Sequence, residues 1–271
     1  MKEHRYIFFD FFKPASLVAL CLLTLFSVGL TGCKTVDYVK NFFGYGNPPP
    51  NLLGGDAAAS LAGQAQERME ADDYAEAAKL WQQLRDQFPY ETKLAMLAEL
   101  RLGDAYFYNS KFIEAYAAYQ TFVERHPDSD AVPYALYQQG MCNYKRINGI
   151  DHDPTPAVET IRSLANLVES YPDNKYSNMA KARIAEAQNI LAGHEFYVGE
   201  FYFNRKDYAA AINRFVGLIT LYPDSGYHQR AMNYIAEYRD MVARGEIEEG
   251  NQRPSEYNSP FTITDVTGTK Y

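Results

Sequence analysis

Cysteine is scarce in this chain, with three residues among 271, at positions 21, 33 and 142. So few cysteines cannot form the disulfide framework typical of a small secreted domain. Histidine is also rare, with five residues, and the sequence has no HExxH motif, no phosphate-binding glycine loop and no GxSxG turn. We therefore expect no catalytic residue, no resident metal and no cofactor.

Long apolar runs are also missing where a membrane span would need one. The run from Leu17 to Val28 is about a dozen residues, and a spanning helix needs roughly 20. It follows a start that carries Lys2, Arg5 and Lys13, the arrangement of a secretory signal peptide. We expect residues 1–32 to be removed, and a retained transmembrane anchor is the weaker interpretation.

The end of this segment, Leu30-Thr31-Gly32-Cys33, resembles the lipobox of bacterial lipoproteins. The resemblance implies a diacylglycerol thioether and an N-acyl chain on Cys33, and a free thiol is the alternative. Three acyl chains exceed the two signals that stable anchoring takes. Lys34 stands where inner-membrane lipoproteins tend to carry Asp, so the resemblance implies the periplasmic face of the outer membrane. Cys142 then has no disulfide partner, and we expect it in the core.

Positive charge is in deficit. The mature chain from residue 33 would keep 23 basic and 32 acidic residues, since the signal contains three basic and two acidic ones. This balance disfavours nucleic acid and provides no basic patch for anionic lipid.

Regular periodicity is absent at both ends of the mature chain. Residues 33–55 contain Asn47-Pro48-Pro49-Pro50-Asn51 and Gly54-Gly55, which predict a flexible lipidated tether. Its aromatic residues could rest on a membrane interface or dock on the folded domain, and the sequence does not decide between these. Residues 246–271 are polar and aperiodic, and we predict a disordered tail.

Between the ends, one phrase returns. An aromatic residue, an alanine and a large ring stand fifteen, twelve and eight residues before Pro89, Pro127 and Pro223, and a degenerate copy with Thr160 in place of the alanine ends at Pro172. These residues resemble the tetratricopeptide repeat, in which small residues let two antiparallel helices approach and the proline ends the second. We predict an all-α solenoid of about four and a half to five helix-turn-helix repeats, and a chance likeness in another helical bundle is the alternative.

The copies predict helix pairs over 57–89, 96–127, 133–172 and 192–223, with a last helix from Tyr227 to about Arg244 closed by Gly245. About eight extra residues around 148–154 predict a bulge in the third copy. The stretch from Met179 to Asn204 predicts one long helix. We divide the repeats into an N-terminal half, 56–178, and a C-terminal half, 179–245.

The segment 193–202, together with Tyr208-Ala209-Ala210-Ala211 and Tyr222-Pro223-Asp224-Ser225, is similar to the BamD family of outer-membrane protein assembly lipoproteins. The insert Asp151-His152-Asp153-Pro154-Thr155 is similar to that family's third repeat. The resemblance implies membership of the β-barrel assembly (BAM) complex. It also implies contact with the POTRA domains of the barrel subunit BamA and with other BAM subunits, and help in receiving unfolded outer-membrane proteins.

In stacked helix pairs, the first helices line a concave face. The repeat register places a set of rings and other side chains there, which we expect to bind extended client strands, because aromatic residues bury area at low entropy cost. The candidate client groove consists of Leu100, Asp104, Phe107, Tyr134, Tyr137, Met141 and Tyr144. The alternative is that several of these side chains pack against the neighbouring repeat.

By resemblance, the candidate POTRA contact is in the second half and consists of Glu195, Glu200, Arg205 and Arg214. The alternative is that these charges are only solvated helix faces. The rival binding function is a periplasmic repeat scaffold for peptidoglycan synthesis or the Tol–Pal system. An enzymatic alternative would be a lipid-anchored hydrolase or a metalloprotein using His152, but the sequence offers no further recognisable ligands.

Overall fold

The computed structural model describes residues 55–90 and 92–247, and these ranges contain helices and no strand. The signal peptide, the lipidation of Cys33 and the tether up to Gly54 lie outside the described residues, as does the tail from Glu248 onward. Gly55 was assigned to the tether but is the first residue of a helix. The helices are α1 Gly55–Glu70, α2 Tyr74–Gln87, α3 Thr92–Tyr108, α4 Phe112–Arg125, α5 Val132–Tyr144, α6 Thr155–Ser170, α7 Lys175–Asn204, α8 Tyr208–Leu221 and α9 His228–Ala243.

Each helix packs against the next one along the chain, and α1 with α3 and α5 with α7 also contact. This arrangement is that of stacked helix pairs, in which each pair touches its neighbours. The predicted all-α repeat solenoid is confirmed.

Three glycines allow the close approach within the helix pairs. A Cβ on Gly103 would lie 2.7 Å from the Tyr119 ring, and one on Gly199 would lie 2.5 Å from the Phe215 ring. In the degenerate copy, a Cβ on Gly140 would lie 2.2 Å from Leu164. The predicted close approach of the two helices of a pair at small residues is therefore confirmed. The buried Thr160 fits the alanine position because its hydroxyl donates to the Pro156 carbonyl, 2.7 Å away.

The turns within three of the pairs share a feature that the sequence did not predict. Asp72, Ser110 and Lys206 adopt left-handed backbone with φ between 59° and 64°. At each turn, the amide of this residue and the amide of the next one bond back to carbonyls of the finished helix, as in a Schellman motif. Glycine is the usual residue in this conformation. None of these three positions is a glycine, so the sequence contains no indication of the turns.

The C-terminal half is organised by α7, which has 30 residues and begins four residues before the predicted Met179. The predicted bulge is the loop 145–154, between α5 and α6. The loop packs on α7, where His194 Nδ1 lies 2.8 Å from the Ile150 carbonyl oxygen. Helix α9 ends as predicted, because Gly245 has φ +71° and the amides of Gly245 and Glu246 bond to the Val242 and Met241 carbonyls.

Candidate functional site

Asp104, a candidate groove residue, is a buried carboxylate that joins two repeats. Only 1% of its surface is exposed. Tyr119 and Tyr134 donate their hydroxyls to its Oδ1 at 2.7 and 2.6 Å, and Arg101 pairs with Oδ2 at 3.1 Å. Burial, assisted by the Asp104 charge, holds the pKa of both tyrosines well above the ordinary value. These hydroxyls are thus permanent donors, and the carboxylate serves the packing of α3, α4 and α5.

The other candidate groove residues divide into buried and half-buried side chains. Leu100, Tyr134, Tyr137 and Met141 are buried. Tyr134 and Tyr137 each have their ring centroid 5.6 Å from the Tyr176 ring of α7. For Tyr134 and Tyr137 the alternative of packing against a neighbouring repeat is what the fold shows. Phe107 and Tyr144 alone in this set are half-buried, and client binding at them stays a prediction.

Phe107 belongs to an aromatic cluster that the repeat register did not predict. Its ring lies 5.7 Å from Tyr108 and 5.5 Å from Phe112, and Tyr108 stacks on Tyr74 at 5.4 Å. The neighbouring Ile113 is 67% exposed. We call Tyr74, Phe107, Tyr108, Phe112 and Ile113 the aromatic rim. It lies at the turns within the first two repeats, because α2 and α4 begin there and α3 ends there. The sequence did contain an indication of this cluster, since α2 and α4 begin with an aromatic residue and α3 ends with one.

Tyr144 is held in a polar cluster between α5 and α7. Its hydroxyl donates to Glu186 at 2.6 Å, and Arg183 pairs with the same carboxylate at 2.6 Å. The Arg183 guanidinium also lies 5.2 Å from the centre of the Tyr144 ring. The hydrogen bond to Glu186 raises the pKa of Tyr144, and the bonds from Tyr144 and Arg183 lower the pKa of Glu186. This cluster offers a partly exposed ring with its hydroxyl already engaged.

Three of the four charged residues predicted to contact a partner are engaged inside the C-terminal half. Glu195 is 1% exposed and accepts from Arg214 at 3.1 and 3.3 Å, which ties α7 to α8. Glu200 accepts from Tyr234 of α9 at 3.0 Å. Arg205 is exposed, with its guanidinium 5.3 Å from the centre of the exposed Phe201 ring. Within this set, Arg205 is the residue that a partner could reach without disturbing the helix packing.

Within the described residues, the histidine, cysteine and acidic side chains do not come together in a metal-binding cluster. His152 Nδ1 lies 2.9 Å from Asp151 on the exposed loop, and the hydrogen bond to His152 lowers the pKa of Asp151. Within 55–90 and 92–247, no group of three or more His, Cys, Asp or Glu side chains is placed to hold a metal ion. Cys142 is buried as predicted, and burial raises the pKa of its thiol to about 12. None of the helices in the described ranges has the length and apolarity needed to cross a membrane.

Stacked helix pairs with polar links in the interior and aromatic side chains at their edges define a repeat scaffold of the tetratricopeptide class, a class that binds proteins. Residues 56–252 match the family model YfiO, whose description is outer membrane lipoprotein. The chain belongs to this family.

Curated relatives agree with the predicted resemblance, which is confirmed. The outer membrane protein assembly factor BamD of Neisseria meningitidis serogroup A is 27% identical over 210 residues, which cover 74% of this chain and 78% of the relative. The protein of the same name in Caulobacter vibrioides is 23% identical over 248 residues, 92% of this chain and 77% of the relative. That of Xylella fastidiosa is 24% identical over 262 residues, 92% and 84% respectively.

Proposed function

We propose that this chain is a scaffold subunit for the assembly of outer-membrane proteins and that it works by binding other proteins. The observation that carries the proposal is the family match over 56–252, together with relatives named outer membrane protein assembly factor. The fold suits the task, because a repeat solenoid offers extended surfaces for partners. The rival function in peptidoglycan synthesis or the Tol–Pal system has no support from these names.

The proposed location is the periplasmic face of the outer membrane, with Cys33 carrying the lipid. The lipobox supports the anchor, and the lack of a spanning helix in the described ranges is compatible with it. Mass spectrometry of the N-terminal peptide from native membranes tests this step. A triacylated Cys33 is expected, whereas a peptide that begins before residue 33 with a free thiol would contradict it.

The proposed partners are a POTRA domain of BamA and other BAM subunits, with contact through the second half of the chain. Arg205 and the ring of Phe201 support this location, since both are exposed side by side. A guanidinium over an aromatic ring can bind a carboxylate or a carbonyl of a partner without losing its ring contact.

The proposed client site includes the aromatic rim. Outer-membrane strands alternate apolar and polar residues and carry aromatic girdles. An exposed Ile113 beside four rings would bury one apolar side of such a strand, while the exposed backbone of the strand stays solvated. Tyr144 extends the candidate surface toward the third repeat.

The test is a pull-down of the mature lipoprotein from detergent-solubilised outer membrane, with quantitative mass spectrometry. Near-equal recovery of a POTRA-bearing barrel subunit is the expected result. Arg205→Glu should reduce that recovery, and Arg162→Glu on the exposed surface of α6 is the matched control. Recovery of peptidoglycan synthases or Tol–Pal components in place of the barrel subunit would overturn the proposal.

Client binding is tested separately with a peptide from an outer-membrane β-strand. Ile113→Ser combined with Phe107→Ala should weaken binding, while Val216→Ser, an exposed apolar residue on α8, should not. Equal peptide affinity of the unsubstituted protein and both variants would remove the aromatic rim from the proposal. The proposed partner contact would not be affected.

A further inference from the structure

The last third of α7 has an apolar face that the described helices leave half open. Tyr197 is 46% exposed and Phe201 is 50% exposed. Arg205 follows at the same spacing of four residues, so the three side chains lie in one row along the helix. We call Tyr197, Phe201 and Arg205 the open face of α7.

The open face exists because the neighbouring elements pack on other sides of α7. The ring of Phe203 lies 4.8 Å from Tyr234 of α9, and Gly199 meets Phe215 of α8. One turn earlier, loop 145–154 covers α7, with Ile150 against Gly193 and its carbonyl at 2.8 Å from His194. The covering loop therefore stops where the exposed rings begin.

The segment that follows α9 has the composition to cover this face. Residues 253–268 lie beyond the family match, which ends at 252. They contain Tyr257, Phe261, Ile263 and Val266 as apolar side chains. Residues 253–268 contain two acidic side chains, Glu256 and Asp265, and one basic side chain, Arg253, whereas the exposed Arg205 and Lys206 at the end of α7 are both cationic. The charges of the segment and of the face are complementary.

The distance is also suitable. Tyr234 of α9 contacts Glu200 and Phe203, so α9 runs alongside the end of α7. Ala243 is nine residues further on, about 14 Å at 1.5 Å per residue. With a helix diameter of about 10 Å added, the distance from the end of α9 to the open face is roughly 20 to 25 Å. A coil of 16 residues, the separation of Gly245 from Phe261, spans about 22 Å.

We propose that residues 257–266 bind to the open face of α7 in the same molecule, with their apolar side chains on Tyr197 and Phe201 and an acidic side chain paired with Arg205. The chain thus covers its own exposed rings until another protein displaces the segment. The displacement by a partner rests on the proposed function, which places the partner contact at Phe201 and Arg205, whereas the docking itself concerns the isolated chain and is tested without a partner. A second copy of the chain, or no occupant at all, are the other outcomes of the test.

The test is disulfide cross-linking in the full mature lipoprotein in detergent, with Asn204→Cys beside the open face and Thr264→Cys in the segment. Cys142 does not interfere, because it is buried and its pKa is raised to about 12. Mild oxidation should close an intramolecular disulfide at least about tenfold faster than in the control pair Gln229→Cys and Thr264→Cys, because docking raises the effective concentration of the two thiols. Gln229 is exposed in the first turn of α9.

Two further changes identify the contact. Phe201→Ser and, separately, Phe261→Ser should each slow the closure about tenfold in the Asn204 pair, whereas Val216→Ser should not. Phe261 is outside the described residues, and its replacement leaves every residue of the described helices unchanged in sequence. Equal closure rates in the two cysteine pairs, or closure insensitive to both phenylalanines, would overturn the inference. Disulfides formed only between molecules would also overturn it and would indicate a second copy on the open face.

Discussion

Replacing Asp104 with alanine should destabilise the fold strongly, although the repeat register places this residue on a binding surface. The carboxylate is the shared acceptor of Tyr119 and Tyr134 and the ionic partner of Arg101, whose side chain is also largely buried. A hydrogen bond to a charged group contributes about 1.5–3 kcal/mol. Removing one partner of a buried ion pair costs about 3–5 kcal/mol. Because these terms describe one network, they do not add, and we expect a loss of about 4 kcal/mol in the free energy of unfolding.

The assay is urea unfolding of the soluble mature domain followed by far-ultraviolet circular dichroism, with the dependence on urea compared between variants. Asp86→Ala is the matched control, because its carboxylate pairs with Arg85 at the surface and such pairs contribute about 0–1 kcal/mol. Tyr134→Phe should lower the free energy of unfolding by less than Asp104→Ala does. A double-mutant cycle should show that the two substitutions are coupled. A loss below about 1 kcal/mol for Asp104→Ala would refute the reasoning, since a carboxylate on an open groove would behave in that way.

Three further predictions concern packing, turns and the thiol. Gly140→Ala should destabilise the fold by about 2 kcal/mol, because its Cβ would overlap Leu164. Gly63→Ala should stabilise it by about 0.5–1 kcal/mol, because its Cβ would meet nothing within 4 Å. Melting temperatures that shift in the same direction for both variants would contradict this. Lys206→Gly should raise stability by about 1 kcal/mol, since the residue has φ +64°, and an unchanged melting temperature would exclude strain at the turn. With its pKa raised to about 12, the Cys142 thiol should resist maleimide labelling at pH 8 until urea unfolds the chain, and rapid labelling of the native protein would show that the thiol is accessible.

The helix pairs could be predicted because the repeat requires side-chain volumes that are visible in the sequence. Gly103 with Tyr119 and Gly199 with Phe215 stand at a fixed separation of sixteen residues, and the fold brings each pair together. The turns could not be predicted in the same way. Their left-handed residues are Asp72, Ser110 and Lys206, and the turns are closed by backbone hydrogen bonds to the preceding helix, so no glycine in the sequence indicates them.

The candidate sites were harder to predict, because one sequence position gives the direction of a side chain but not what covers it. Tyr134 and Tyr137 face the side of α5 that a concave groove would use, yet Tyr176 of α7 packs on both. Glu195 resembles a solvated charge until Arg214, nineteen residues later, is placed against it. A polar residue on a first helix and a complementary one on the second helix of the same pair is a signal that would have identified such interior links.

The proposed binding surfaces therefore lie at turns and beside a loop, and not in the interior of the stacked helices. The aromatic rim occurs at the turns within the first two repeats, and the open face of α7 occurs where the covering loop 145–154 stops. Since each repeat contacts mainly its neighbours, substitutions at one of these surfaces should leave the other unaffected in stability and in binding. A protein with both Ile113→Ser and Phe201→Ser should consequently show the client affinity of the Ile113→Ser variant and the disulfide closure rate of the Phe201→Ser variant. A client affinity or a closure rate that differs from that of the matching single variant would mean that α3 to α7 transmit a change from one repeat to the next, and the two surfaces would then have to be treated as one site.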